Sequence, residues 1–271
     1  MKQKVLLIGI DGLMIHRAID SGRAKTLKAL RDQSFFIDTQ VDMPTVSGPS
    51  WSTLLTGKQQ DVHQVVNNYF QNHNLQEAPD FLTQALAKDS NLKTYAAAGW
   101  PPLIDPNDVG PVIANVGHER FHQDGEKLGY LTVDKEVFSN AIETLEKLEP
   151  DLGFIYFCEA DEAGHRHGTL TGPYFDAIER IDRYVEAIYQ ALIKRNEKWL
   201  LVIVTDHGHR DEGGHGGDSP QERASFILAH GINREHPNWS EELKPHQLAE
   251  DRKSTRLNSS HVKRSRMPSS A

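Results

Sequence analysis

The chain has 271 residues, 38% of them hydrophobic and 25% charged, with a formal net charge of -8. That is enough chain to bury one sizeable core, while the acidic balance argues against a nucleic-acid polymer as partner. No apolar run approaches the roughly 20 residues of a membrane span, and a single cysteine, Cys158, excludes an internal disulfide and fits a reducing, cytoplasmic setting.

The first apolar run, residues 5–10, leads straight into Asp11-Gly12 with no small-residue cleavage site, so it reads as a strand and not a signal peptide. Further buried strands are expected at 35–37, 94–98, 154–158, 200–204 and 226–229, all apolar without alternation, as in a parallel sheet covered on both faces. Helical patterns fall between them at 80–88, 141–148 and 174–195. The fold class this predicts is α/β: an open, mostly parallel sheet sandwiched between helices. Residues 65–127 are rich in Asn, His, Pro and Gly and read as a loop or cap region where substrate contacts gather. Residues 1–250 form the expected catalytic domain, and 251–271 read as a foreign or disordered tail. Arg252 to Ala271 carries six Lys or Arg, six Ser and no acid, so setting those six cations aside takes the charge from -8 to -14.

Three apolar runs end at, or lead within a few residues to, an acid: Asp11, Asp161 and Asp206, the last followed by His207. Ligands of an open parallel sheet gather beyond the carboxyl ends of its strands, which can bring these four side chains together. His165 follows Asp161 by four residues, which puts both on one face of a helical turn. His215 sits in Gly213-Gly214-His215-Gly216-Gly217, where glycines permit the tight path that would aim an imidazole inward. Asp and His together suit zinc, with manganese or iron as alternatives, and six ligands suffice for two ions. Each piece alone has a plainer reading: a turn, a helix start with a surface histidine, a flexible loop. The segment 43–57 places hydroxyls, Ser47 and Ser50, after a Pro-containing loop and before an apolar helix, where negative charge is favoured. Capping that helix is the plainer role. His167 and His209 adjoin ligand positions and are candidates for orienting them.

Taken together, Ile10-Asp11-Gly12, the 43–57 segment, Asp161 with His165, Thr205-Asp206-His207-Gly208 and a final His215 resemble the alkaline phosphatase superfamily. The match is closest to its type I phosphodiesterase/nucleotide pyrophosphatase branch, over about residues 4–230. The resemblance implies two divalent ions, zinc with manganese as the alternative. One is held by Asp161, His165 and His215, the other by Asp11, Asp206, His207 and the nucleophile Ser47. It also implies hydrolysis of small phosphate esters, either phosphodiesters or nucleotide pyrophosphates, through a phosphoseryl intermediate. Ser50 would donate a hydrogen bond to a non-bridging oxygen. The branch commonly uses threonine where this chain has Ser47. A sulfatase would need Arg where Trp51 stands, and a phosphoglycerate mutase would need a large insert between Ser47 and Asp161. Phosphomonoester or phosphonate hydrolysis on the same site, or a non-catalytic binding protein on this scaffold, are the alternatives. A further sheet and helix element, starting in 243–250 and cut short at the C-terminus, completes the expectation.

Overall fold

The computed structural model describes residues 3–249. The expected tail, 251–271, lies outside the described residues. The strands are β1 (Lys4–Ile10), β2 (Phe35–Gln40), β3 (Thr94–Ala98), β4 (Glu119–His122), β5 (Leu152–Phe157), β6 (Trp199–Val204) and β7 (Ala224–Ile232). They form one seven-stranded sheet in the order β2-β7-β6-β1-β5-β3-β4. The six strands expected from apolar runs are present. The seventh, β4, has the sequence Glu-Arg-Phe-His and pairs only with β3, at the edge, where solvent relieves the demand for an apolar run. The sheet is parallel except for β7, which runs antiparallel to both β6 and β2.

Alternation along the central strand divides the core. Val5 and Leu7 pack on one face with Trp51, Leu54 and Leu55 of the helix Ser47–Thr56. Leu6, Ile8 and Ile10 pack on the other, against the helices Lys25–Asp32, Tyr130–Lys147 and Gly172–Lys194. The last of these presents Ile178, Ile181, Val185, Ile188 and Leu192 at spacings of three and four, the stripe that a helix lying on a sheet requires. The pattern at 141–148 is only the second half of its helix, which begins at Tyr130 behind Gly129. The stretch 80–88 starts as read: Asp80 accepts from the amides of Leu82 and Thr83 and so caps Phe81–Lys88. Residues 65–127 hold that helix, β3 and β4 as well as loops. Leu243, Leu248 and Ala249 are buried in the core cluster on the Trp51 face.

Register is what positions the site. Ile10 pairs with Phe157 of β5 and Gly9 with Val204 of β6, so the three central strands end nearly level. Asp11, Cys158 and Thr205-Asp206 therefore leave the sheet side by side.

Candidate metal centre

Asp11, Asp206 and His207 are fully buried where those strands end. His207 Nε2 lies 3.5 Å from Asp11 Oδ1 and 3.2 Å from Asp206 Oδ2. Among the described residues these two oxygens have no hydrogen-bond partner, whereas Asp11 Oδ2 accepts two hydrogen bonds and Asp206 Oδ1 accepts one. Two buried, unpartnered carboxylate oxygens facing one imidazole nitrogen are a costly arrangement without a cation. Burial, then the charge of Asp161, lifts Asp11 to about 7. Burial, then Asp11, pushes Asp206 well above the carboxylate range. His207 is held well below its ordinary value, chiefly by burial, so its imidazole is neutral and can ligate. Its Nδ1 lies 3.2 Å from the Gly208 carbonyl, to which it donates, leaving the Nε2 lone pair inward. The donor set and the orphaned oxygens fit a divalent cation.

A second cluster adjoins the first. Asp161 and His165 come from the helix Glu159–His167, His215 from the glycine loop. His165 and His215 point Nε2 at each other across 2.9 Å, and Asp161 oxygens lie 3.6 and 3.5 Å from them. The loop takes left-handed backbone at Gly213, Gly214 and Gly216, which a side chain would resist. It is anchored by Thr45, whose carbonyl accepts from His215 Nδ1 at 2.6 Å and whose hydroxyl accepts from Gly216 N at 2.8 Å. Thr45 thus fixes the tautomer that leaves His215 Nε2 free. The Asp161 helix is anchored by Asp134, which is wholly buried and accepts from Cys158 N at 2.9 Å and Glu159 N at 2.8 Å.

Ser47 opens its helix, and its side chain does not cap it: the N-cap is Val46, with no side-chain hydrogen bond. Ser47 Oγ instead lies 3.2 Å from His207 Nε2, facing the orphaned oxygens. Ser50 is buried with an unpartnered hydroxyl, in the wall of a cavity of about 380 Å³ between β2 and the segment 241–246.

The sequence-level profile of the family described as type I phosphodiesterase / nucleotide pyrophosphatase matches residues 5–218, a span that contains every one of these side chains. The chain belongs to this type I phosphodiesterase / nucleotide pyrophosphatase family. Within it, the chain is 24% identical over 266 residues to GPI ethanolamine phosphate transferase 1 of Yarrowia lipolytica, covering 87% of this chain and 27% of that protein. It is 34% identical over 193 residues to the catalytic subunit of mouse GPI ethanolamine phosphate transferase 3, covering 70% of this chain and 16% of that one. The chain thus spans about a quarter or less of these relatives' length. Among solved structures, phosphonoacetate hydrolase of Sinorhizobium meliloti superposes with TM-score 0.59 at 16% identity, over 79% of this chain and 59% of its own. Murine ectonucleotide pyrophosphatase / phosphodiesterase 5 gives 0.57 at 19%, over 76% and 57%. A 2-O GAG sulfatase gives 0.69 at 13%, over 98% and 73%. These likenesses establish the alkaline phosphatase-like fold.

Two further residues complete the site, one legible in the sequence only as a neighbour of ligand positions and one not singled out there. His209 is fully buried, with Nε2 2.8 Å from Asp161 Oδ1, closer to that acid than either His165 or His215. Burial alone would raise Asp161, but the hydrogen bond and charge of His209 outweigh it and hold the carboxyl below its usual range. Its place beside His207 marks it in the sequence as a candidate for orienting a ligand, and the acid it meets is Asp161. Asn68 lies in the 65–127 region read as loops where substrate contacts gather but is not singled out there; its Oδ1 accepts from Gly48 N at 2.7 Å, beside Ser47. Arg166 pairs with Glu162 at 2.5 Å, and Arg210 lies 3.7 Å from Glu212 and 4.0 Å from Glu222.

Proposed function

We propose that this chain carries the catalytic unit of a metal-dependent phosphodiester-cleaving enzyme, with Ser47 as the nucleophile. The observation that carries the reading is the position of Ser47 Oγ, 3.2 Å from His207 Nε2 at the point faced by the two unpartnered oxygens of Asp11 and Asp206. Asp11, Asp206 and His207 would hold one divalent ion, zinc or manganese, with Ser47 as a further ligand. Asp161, His165 and His215 would hold the other. When bound, the ions supply positive charge that lowers the pKa of the Ser47 hydroxyl and offsets charge building on the phosphoryl and leaving oxygens. Ser47 Oγ then forms a bond to phosphorus as the bond to the leaving alcohol breaks. A water attacks the phosphoseryl ester in the second step, and Ser47 departs with the bonding pair. The positive end of the Ser47 helix dipole favours developing negative charge at its start, although Gly48 N is taken by Asn68 and Ser50 N by the Val46 carbonyl. Asn68, anchored through Oδ1 at Gly48, has its amide donor end available for a non-bridging oxygen. Asn68→Ala is expected to lower kcat by roughly 100-fold with metal content intact, the usual scale for one such donor.

Rapid quenching followed by mass spectrometry tests the pathway: phosphate, carrying its remaining ester group, is expected on Ser47. Its absence under conditions of full turnover would exclude the covalent route. A second reading, transfer to an alcohol in place of water, is favoured by the relatives named ethanolamine phosphate transferases. Running the reaction with an added alcohol acceptor and counting transferred against hydrolysed product separates the two.

Diesters are expected to exceed matched monoesters in kcat/KM. A monoester dianion brings one more negative charge, and two divalent ions are already largely balanced by the three ligand aspartates. The arginines flanking the site, Arg166 and Arg210, are paired with acids. Comparing p-nitrophenyl phosphate with its phenyl diester at saturating metal checks this, and a monoester preference would overturn the charge argument.

A further inference from the structure

Asp11 divides its two oxygens unequally. Oδ2 accepts from the Trp51 indole N–H at 2.9 Å and from the Tyr156 hydroxyl at 2.6 Å. Oδ1 has no partner and is the oxygen that faces His207. Trp51 stands four residues after Ser47 on the same helix, so indole and nucleophile leave one face a turn apart. The indole is wholly buried across β1. A Cβ at Gly9 would come within 2.4 Å of its Cη2, so the approach depends on glycine at that position. The ring meets Tyr156 edge-on at 5.4 Å, and that packing would be available to a phenylalanine. The directed N–H would not.

We propose that Trp51 and Tyr156 are positioning residues that reserve Asp11 Oδ2 for the protein and leave Oδ1 for the cation. Because Trp51 belongs to the helix that Ser47 opens, it also fixes nucleophile and metal ligand in one frame. Two donors on one oxygen stop the carboxylate from rotating, and a held orientation strengthens ligation. This inference rests on the metal reading above.

The experiment titrates Zn2+ into chelator-stripped wild type, Trp51→Phe, Tyr156→Phe and Gly9→Ala, in competition with a chromophoric chelator, and records each stripped protein's melting temperature. Wild type is expected to bind two equivalents. Each Phe variant is expected to lose roughly 10–100-fold in affinity for one equivalent and to keep the other, the scale seen when a group orienting a ligand is removed. Activity should fall in kcat more than in KM. Gly9→Ala, by displacing the indole, should reproduce the Trp51→Phe pattern. A purely packing role predicts the opposite split: a lower melting temperature with both equivalents bound at wild-type affinity, and that result would overturn the proposal. Should Trp51→Phe fail to fold, Tyr156→Phe, which removes a single oxygen, still decides it. Wild type that binds no zinc would overturn the metal reading itself, an outcome distinct from failure of the positioning role.

Discussion

Ser47→Ala is expected to lower kcat/KM by at least about a thousand-fold, since removing a nucleophile costs the whole covalent route and leaves only binding and electrostatic assistance. The substitution removes one buried oxygen whose neighbour is His207 Nε2, and the carboxylates of that cluster stay in place. Metal content should therefore remain near two equivalents. Ser47→Thr keeps a hydroxyl on the same carbon and is expected to retain measurable activity. It adds a methyl group at a position only 7% exposed, so a reduced rate is expected even if the hydroxyl is well placed. The assay pairs steady-state kinetics with metal analysis of the same preparations. Wild-type turnover by Ser47→Ala would reduce Ser47 to a residue at a helix start.

Removing metal is expected to abolish turnover and to lower the melting temperature, both recovering when zinc or manganese is returned. Ligand linkage stabilises by about 4 kcal/mol for a site whose free metal exceeds Kd a thousand-fold. The stripped protein should also acquire a distinctive pH dependence. Burial and the charge of Asp161 raise Asp11 to about 7, and burial and the charge of Asp11 raise Asp206 well above the carboxylate range. A raised folded-state value means that the native state holds protons the unfolded chain has already released, so stability falls as pH climbs toward those values. His207 and His215 are displaced downward, chiefly by burial, and destabilise the native state only as pH falls below about 6.5, where the unfolded chain takes up protons that they refuse. From pH 6.5 up through about 7, the folded-state value of Asp11, the carboxylate effect is left to dominate. The stripped protein's melting temperature is expected to drop across that window while the loaded protein's stays level, because bound cations keep the carboxylates ionised. Calorimetry on the two forms reads this directly. A metal-free preparation with full activity, or parallel melting curves with and without metal, would refute the assignment.

Much of the site could be read from the chain because its chemistry sits at strand ends. Val-Leu-Leu-Ile before Asp11 and Leu-Val-Ile-Val before Thr205-Asp206-His207 announce buried parallel strands, and a polar residue ending such a run has to face the carboxyl edge of the sheet. The four-residue interval from Asp161 to His165 and the glycines around His215 carried the second cluster in the same local way. Membership in the family followed from the order of these motifs, and the profile match over residues 5–218 bears it out.

What the sequence could not carry depends on approach between segments distant in the chain. β4 lacks an apolar signature because an edge strand half open to solvent needs none, and the reversed direction of β7 is set by the long connection from Val204 to Ala224, ending in the helix Pro220–Arg223, which apolar content does not encode. The sequence marks His209 as a neighbour of ligand positions but not its partner Asp161, and Asn68 is an ordinary residue until folding sets it against Gly48. The unequal use of the Asp11 oxygens is likewise a tertiary fact. It arises where the Ser47 helix crosses β1 at Gly9 and delivers an indole N–H from 40 residues away, joined by a hydroxyl from 145 residues away. The sequence by itself determined which strands carry the candidate ligands, because burial leaves a local pattern. The tertiary structure alone decided which oxygen of each ligand is free, because a hydrogen bond is fixed by the meeting of surfaces that local pattern does not describe.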